Sequence, residues 1–169
     1  MIFAAPKLNA AHRMPEAPRI LALDLGRARI GVAITDGLGL TAQPLLTILH
    51  KTTHADIKSI GRIVRKHAVA EIVVGHPLHA SGDASPNSAR AEEFAAALRA
   101  EFGLPVHLWD ERLTTHAAHD ILDQAASRTR TSPERRAADR VARKRIVDQV
   151  AATLILESFL SAAARRSTP

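Results

Sequence analysis

The most constraining feature of this sequence is an acidic residue inside an apolar strand. Residues 20–25 read Ile-Leu-Ala-Leu-Asp-Leu, a run that is typical of a β-strand buried on both faces. A turn with Gly26, Arg27 and Arg29 follows, and then a second apolar run. Because a buried carboxylate needs a hydrogen-bond partner, a cation or a metal ion, Asp24 is either a turn-capping residue or part of a site. With two arginines beside it, the second interpretation suits metal-assisted chemistry on a phosphate.

The composition favours a single globular domain with a polyanionic partner. A chain of 169 residues is long enough for one core, and no stretch approaches the ~20 consecutive apolar residues of a membrane helix. The N-terminus lacks the apolar core of a signal peptide, and the absence of cysteine excludes disulfides and favours a cytoplasmic location. A net charge of +6 favours nucleic acid as the partner. Aromatic residues, at 3%, are too scarce for a single-strand binder built on base stacking.

The periodicity of the apolar residues predicts the element order βββαβαβα. This is an α/β fold with a mixed five-stranded sheet and helices on both faces. The domain is expected to span residues 19–162, between a disordered leader at 1–18 and a frayed tail at 163–169. Residues 127–139 are rich in arginine and interrupted by a proline, and they are predicted to form a mobile basic loop. The strands are expected at 20–25, 30–34, 45–49, 71–75 and 106–109, and the helices at 53–67, 86–102, 115–126 and 138–162.

Three carboxylates lie where strand and helix ends are expected to converge. Asp24 is on the first strand, Glu111 follows the fifth strand, and Asp148 lies beside the apolar stripe of the last helix. A shared divalent cation, Mg²⁺ or Mn²⁺, would satisfy all three acids, because such ions prefer oxygen ligands. Two ions, ~3.5–4 Å apart, would activate a water and stabilise the leaving oxygen of a phosphodiester. The three acids are therefore the candidate catalytic and metal-binding residues.

Simpler interpretations of these acids remain open. Asp148 could pair with a cation of its own helix, Lys144 or Arg145. Glu111 could pair with the arginine that follows it. Asp110 is an alternative to Glu111 as a ligand, because adjacent strand residues face opposite sides of a sheet.

Arginines of the first turn, of the fifth strand's exit and of the basic loop are the candidate nucleic-acid contacts. The guanidinium group suits phosphate because its planar fork makes paired hydrogen bonds. For the arginines of the first turn and of the fifth strand's exit, ion pairing within the acid cluster is an equal alternative. For the arginines of the basic loop, the alternative is a solvated charged loop. The candidates are Arg27, Arg29, Arg112, Arg128, Arg130, Arg135 and Arg136.

Four motifs, in this order along the chain, resemble the YqgF (RuvX) family. The resemblance covers about residues 19–160 and implies an RNase H-like fold related to the Holliday-junction resolvase RuvC. It also implies a nuclease that processes the 5′ end of precursor 16S rRNA, with the same three acids as its catalytic set. The motifs are Asp-Leu-Gly-x-x-Arg-Ile-Gly-Val-Ala at 24–33, Val-Gly-x-Pro-Leu at 74–78, Trp-Asp-Glu-Arg-Leu-Thr-Thr at 109–115 and Asp-x-x-Ala-Ala at 148–152.

The sequence thus favours a metal-dependent nuclease that acts on RNA (precursor 16S rRNA) or on branched DNA. Ribosomal particles are partners that this role implies, no membrane is expected, and the chain is either a monomer or a homodimer. A phosphotransferase of the sugar-kinase type is an alternative, although that architecture needs two such domains. A non-catalytic nucleic-acid-binding module of the same fold is another.

Overall fold

A five-stranded mixed sheet forms the centre of the molecule. The computed structural model describes residues 17–78, 86–111 and 133–166, with the backbone alone for 133–143. The strand order is β3-β2-β1-β4-β5, in which β1 pairs antiparallel with β2 and parallel with β4. The elements are β1 (Arg19–Leu25), β2 (Arg29–Thr35), β3 (Ala42–Leu49), α1 (Thr53–His67), β4 (Val69–His76), α2 (Pro86–Phe102), β5 (Val106–Asp110) and α3 (Pro133–Arg166). The predicted α/β fold with a mixed five-stranded sheet is confirmed.

The two faces of the sheet are covered by different helices. Leu21 and Leu23 of β1 point to the face where α1 and α2 pack, in a core with Ile60, Phe94 and Leu98. The alternate residues point to α3, because successive strand side chains face opposite sides. On that face the strands present small side chains, and the helix presents larger ones: Ala22, Ala33 and Val73 pack with Ala152, Ile155 and Leu156. Small strand residues therefore let α3 lie close to the sheet.

The helix ends follow the chemistry of the sequence. The Thr52 hydroxyl accepts a hydrogen bond from the Ala55 N–H at the start of α1, as an N-cap does. Ala68 ends that helix in a left-handed conformation, with φ of 50°. Pro86 opens α2, where its missing N–H costs nothing, and Gly103 follows the helix with φ of 63°.

The basic segment before the last helix differs from the prediction. We expected a loop over 127–139 and a helix from Ala138, but α3 begins at Pro133, so that 133–139 are helical. Pro133 opens this helix instead of breaking it, because proline is favoured at the first helical position. The helix also continues to Arg166, past the start of the expected tail. Three predicted segments lie outside the described residues: the helix at 115–126, the loop residues 127–132 and most of the leader.

By length and composition alone, Lys144–Arg166 of α3 is apolar enough to cross a membrane, with a mean hydropathy of 1.4. Such a composition also occurs in the core helix of a globular domain. Here Ala152, Ile155 and Leu156 are buried against the sheet. In this structure the segment is part of the helix that covers the second face of the sheet.

Candidate active site

The three acids predicted from the sequence lie at one edge of the sheet, on the face that α3 covers. The carboxyl ends of β1, β4 and β5 meet there, because these three strands are parallel to one another. Asp24 is the next-to-last residue of β1, and Glu111 comes directly after β5. We call the ends of these strands, with Asp24, Gly75 and Glu111, the acid edge.

Gly31 brings Asp148 to the acid edge. It lies directly opposite Asp24 in the antiparallel register of β1 and β2, so both residues face α3. A Cβ built on Gly31 would overlap the carbonyl oxygen of Asp148 and would lie 2.5 Å from its carbonyl carbon. The absence of a side chain at this position therefore lets α3 dock with Asp148 beside Asp24.

Gly75 has the same role for Glu111. The parallel register of β1 and β4 pairs Leu23 with Val74, and the next step along both strands places Gly75 beside Asp24. A Cβ on Gly75 would lie only 2.5 Å from Glu111 Oε1 and 2.7 Å from Ile155 Cδ1. The Glu111 carboxyl group thus lies directly over the backbone of β4, under α3.

The surroundings of Glu111 disfavour its charged form. Burial raises the pKa of Glu111 to about 7, and the negative charges of Asp24 and Asp110 act in the same direction. A carboxyl group with a pKa near neutrality is poised to exchange a proton or to be neutralised by a cation. Asp24 and Glu111 are thus close enough to repel each other.

Glu111, and not Asp110, extends over the face that α3 covers. The preceding residue Trp109 faces α3, where its indole N–H donates to Ser158 Oγ at 3.1 Å and its ring packs edge-on against Phe159. Asp110 is in register with His76 of β4 and contributes charge to the pKa of Glu111.

Asp148 forms an ion pair with an arginine of β2. Arg29 Nε donates to Asp148 Oδ2 at 2.5 Å, and the two side chains are 22% and 19% exposed. Its partner is thus neither Lys144 nor Arg145, the two cations considered from the sequence, since neither forms a salt bridge in the described part of the chain. Pairing within the acid cluster, the alternative considered for the turn arginines, is what the structure shows for Arg29.

The other predicted nucleic-acid contacts are only partly described. Arg27 is exposed in the β1–β2 turn. Arg135 and Arg136 lie in the first turn of α3, for which only the backbone is described. Arg112, Arg128 and Arg130 lie outside the described residues.

The acids offer only oxygen donors, which suit Mg²⁺ and Mn²⁺. Across 17–78, 86–111 and 144–166, no group of three or more His, Asp or Glu residues is assembled to hold a metal ion. Asp24 and Glu111 approach each other, while Asp148 is held by Arg29. The donor chemistry fits a divalent ion at the first two acids, and Asp148 is paired with Arg29 in this structure.

Two features of the site were not identified from the sequence. One is the pair of glycines that the acids lie over; a glycine inside an apolar strand was the available signal, since it often marks a close approach. The other is a partly buried pair behind the basic turn. His50 Nδ1 lies 2.6 Å from Asp56 Oδ2, and the His50 N–H donates to the carbonyl oxygen of Ala28 at 3.0 Å.

Comparison with known proteins gives the family. The family model RuvX, described as "Holliday junction resolvase", matches residues 18–162. A protein of Koribacter versatilis named "Putative pre-16S rRNA nuclease" is 42% identical over 84% of this chain and 86% of its own length. A protein of Moorella thermoacetica with the same name is 44% identical over 84% of this chain and 94% of its own length.

A solved structure gives the same fold. RuvC of T. thermophilus, in complex with a Holliday junction substrate, superposes with a TM-score of 0.53 over 90% of this chain and 98% of its own. At 13% sequence identity this likeness concerns the fold alone. The family match and the curated relatives together place the chain in the RuvX family, among the nucleases that hydrolyse phosphodiester bonds.

Proposed function

We propose that this protein is a divalent-metal-dependent nuclease that processes the 5′ end of precursor 16S rRNA in the cytoplasm, with Asp24, Glu111 and Asp148 as its catalytic acids. The observation that carries the proposal is the packing of two carboxyl groups, Asp24 and Glu111, at one glycine-lined strand edge. Like charges packed together in such a place repel each other, and a bound cation would relieve that repulsion. The name of the curated relatives supports RNA as the substrate.

Mg²⁺ or Mn²⁺ is the cofactor that fits, with Asp24 and Glu111 as the first ligands and Asp148 as the third. Two ions are proposed. When bound, such ions neutralise charge on the phosphate and make a bound water more acidic. The bare backbone at Gly75 and Gly31 keeps the carboxyl groups close without a side chain between them.

The residues of the chain then have separate tasks. In the metal-free protein Glu111, with a pKa of about 7, exchanges a proton close to neutral pH, and a bound divalent cation would displace that proton. Arg27 is exposed beside the acids and can bind a phosphate of the substrate. Arg29 orients Asp148 through its ion pair with that carboxylate.

The first experiment is cleavage of end-labelled RNA with Mg²⁺ or Mn²⁺ at low salt. The substrates are a precursor 16S rRNA 5′-leader fragment and an unstructured RNA of the same length. Asp24→Asn is the test variant, and Glu93→Gln, an exposed acid on α2, is the matched control. Metal-dependent cutting of the leader by wild type and by Glu93→Gln, lost in Asp24→Asn, is the expected result. Full activity of Asp24→Asn in excess chelator would refute the proposal.

Cleavage of branched DNA is a second candidate, favoured by the description of the family as Holliday junction resolvases. A four-way DNA junction added to the same assay distinguishes the two. Cutting of the junction alone would move the role from rRNA processing to recombination. Metal-independent binding of every substrate without any cutting would indicate a nucleic-acid-binding module.

A further inference from the structure

The outer face of α1 is a continuous positive surface on the opposite side of the sheet from α3. Every charged residue exposed on this helix is basic, and its one acid, Asp56, is 1% exposed and faces His50. We call the four exposed lysines and arginines the α1 basic face: Lys58, Arg62, Arg65 and Lys66. In the described part of the chain none of the four forms a salt bridge, so their charges are not neutralised by neighbouring acids there.

The spacing of these cations suits a polyanion with a regular repeat. Lys58, Arg62 and Arg65 follow one another at helical intervals of four and three residues, which places them in a row along one side. From Lys58 to Arg65 the row extends over about 10 Å along the helix. A row of this length faces more than one phosphate of a nucleic-acid strand, and an isolated phosphate would meet only one or two of the cations.

A cleft runs beside this row. It has a volume of about 370 Å³ and lies between α1 and the end of α2. Ile57 and Phe102 give it an apolar floor, and a Cβ on Gly61 would lie 3.1 Å from the Phe102 ring and 3.4 Å from Arg65 Nη1. Glu101 lies on the α2 side, so an anion is favoured on the α1 side. An aromatic ring next to cations suits the base and the phosphate of a nucleotide together.

The α1 basic face begins next to the acid edge. The His50 N–H donates to the carbonyl oxygen of Ala28, in the turn that carries Arg27, and the contact of His50 with the buried Asp56 fixes the first turn of α1 to that turn. Since β3 is antiparallel to β2, its end and the start of α1 lie at the same sheet edge as the end of β1. A strand that leaves the acid edge past Arg27 has to pass around this end of the sheet to reach α1, because the acids lie on the face that α3 covers.

We propose that the α1 basic face binds the phosphodiester backbone of the nucleic acid beyond the cleaved bond. The strand passes from the acid edge, around the β1–β2 turn, and along α1. The position of the cleaved bond rests on the proposed function, whereas binding along α1 does not. The substrate is therefore recognised over a length that the acids alone do not span.

The test is binding without chemistry. The affinity of the full chain for a fluorescein-labelled precursor 16S rRNA 5′-leader fragment, and for a trinucleotide cut from it, is measured by fluorescence anisotropy in chelator at several salt concentrations. Arg62→Gln/Arg65→Gln is the test variant. Arg165→Gln/Arg166→Gln, at the far end of α3, is the control with the same chemistry and the same change of net charge.

The test variant is expected to bind the long fragment about 10-fold more weakly, and its salt dependence is expected to fall by about 1.4 in log–log slope, ~0.7 for each lost phosphate contact. The affinity of the test variant for the trinucleotide is expected to change by less than about 2-fold, because only the α1 contacts of a long strand are removed. The affinity of the control variant for the long fragment is expected to change by less than about 2-fold as well. Equal losses in both double variants, or no loss in either, would overturn the proposal.

Further measurements distinguish a loss of binding along α1 from unfolding of the variants and from failure of the proposed function. Thermal melting of each variant checks the fold, and the single variant Arg62→Gln replaces the double if that does not fold. Binding along α1 by a protein that cuts no substrate would overturn the proposed function and leave this inference standing. Metal-dependent cleavage together with an unchanged affinity of the test variant would overturn this inference and leave the proposed function standing.

Discussion

Arg29 Nε lies 2.5 Å from Asp148 Oδ2, and this ion pair joins the second strand to the last helix. Both residues face the same side of the sheet as Asp24 and Glu111. The guanidinium group supplies positive charge to one acid of a cluster that otherwise repels itself. A divalent ion that binds to Asp148 would therefore lie beside a positive guanidinium group, which opposes its binding.

Removal of this guanidinium group is expected to strengthen metal binding. We predict that Arg29→Gln binds Mn²⁺ about 10-fold more tightly than wild type in the absence of substrate, since one charge-assisted hydrogen bond no longer opposes the metal. Electron paramagnetic resonance of free Mn²⁺ measures this directly. Arg27→Gln, an exposed arginine of the same turn, is the control and should leave the affinity within about 2-fold. Weaker binding by Arg29→Gln would mean that Arg29 positions Asp148 for the metal.

Gly31 should tolerate no side chain. Its Cβ would meet backbone atoms of Asp148, so Gly31→Ala must push α3 away from the sheet. We expect a loss of about 3 kcal/mol in the free energy of unfolding, the upper range of overpacking. Chemical denaturation checks it. Gly37→Ala is the comparison, because its Cβ would meet only the Arg19 side chain at 3.6 Å, and a change above about 1 kcal/mol there would remove the contrast.

Gly75→Ala is expected to separate activity from stability. The atoms in the way are the far ends of two side chains, Glu111 and Ile155, which can move. The free energy of unfolding should fall by about 1–2 kcal/mol, less than for Gly31→Ala, while the displaced carboxyl group lowers kcat at least ~10-fold. Cleavage and denaturation of the same preparation measure both. Wild-type activity in this variant would show that the position of Glu111 over Gly75 is unimportant.

The stability of the metal-free protein should depend on the charge of Glu111. Its pKa is about 7 in the folded protein, against an ordinary value of 4.5 for a glutamate in water, so the folded state binds the proton more tightly. The stability that this proton confers is complete below pH 4.5 and is lost as the pH rises through 7. We expect Glu111→Gln to be more stable than wild type at about pH 8 by about 2 kcal/mol, with a much smaller gap at about pH 5. Denaturant titrations at both pH values measure the gap, and added Mg²⁺ should narrow it at the higher pH.

The buried Asp56 should hold both α1 and the basic turn in place. Asp56→Ala leaves His50 Nδ1 without its partner, and a loss of about 2 kcal/mol in the free energy of unfolding is expected for a buried charge-assisted hydrogen bond. Thr52→Ala, which removes only the N-cap of the same helix, should cost about 1 kcal/mol. Amide hydrogen exchange at His50, whose N–H bonds Ala28, should accelerate in the first variant alone.

Local chemistry made most of the fold predictable. The helix at 53–67 has the predicted bounds, because one apolar stripe and the threonines before it define its face and its start. Pro86 marked the start of α2 and Gly103 its end. The start of α3 was predicted five residues too late, because Pro133 follows a segment rich in arginine and proline can either open or break a helix.

The candidate site was predictable as a set of residues and less so as an arrangement. Two acids at strand ends and one beside the apolar stripe of the last helix could be proposed from sequence position. The partner of Asp148 could not, since Arg29 is distant in sequence and the nearer cations of its own helix were equally plausible. The glycines beneath Glu111 and Asp148 carry no chemistry of their own, and their importance emerges only when the register of the strands is known.

The placement of the acids on β1, after β5 and on α3 has a consequence for the nascent chain. Asp24 is translated early and Asp148 only with the last helix, and they meet only when α3 has docked on the sheet at Gly31. A partly synthesised chain holds at most two of the three acids in place. The complete set of acids proposed for catalysis is therefore assembled only after α3 has been synthesised and has docked on the sheet.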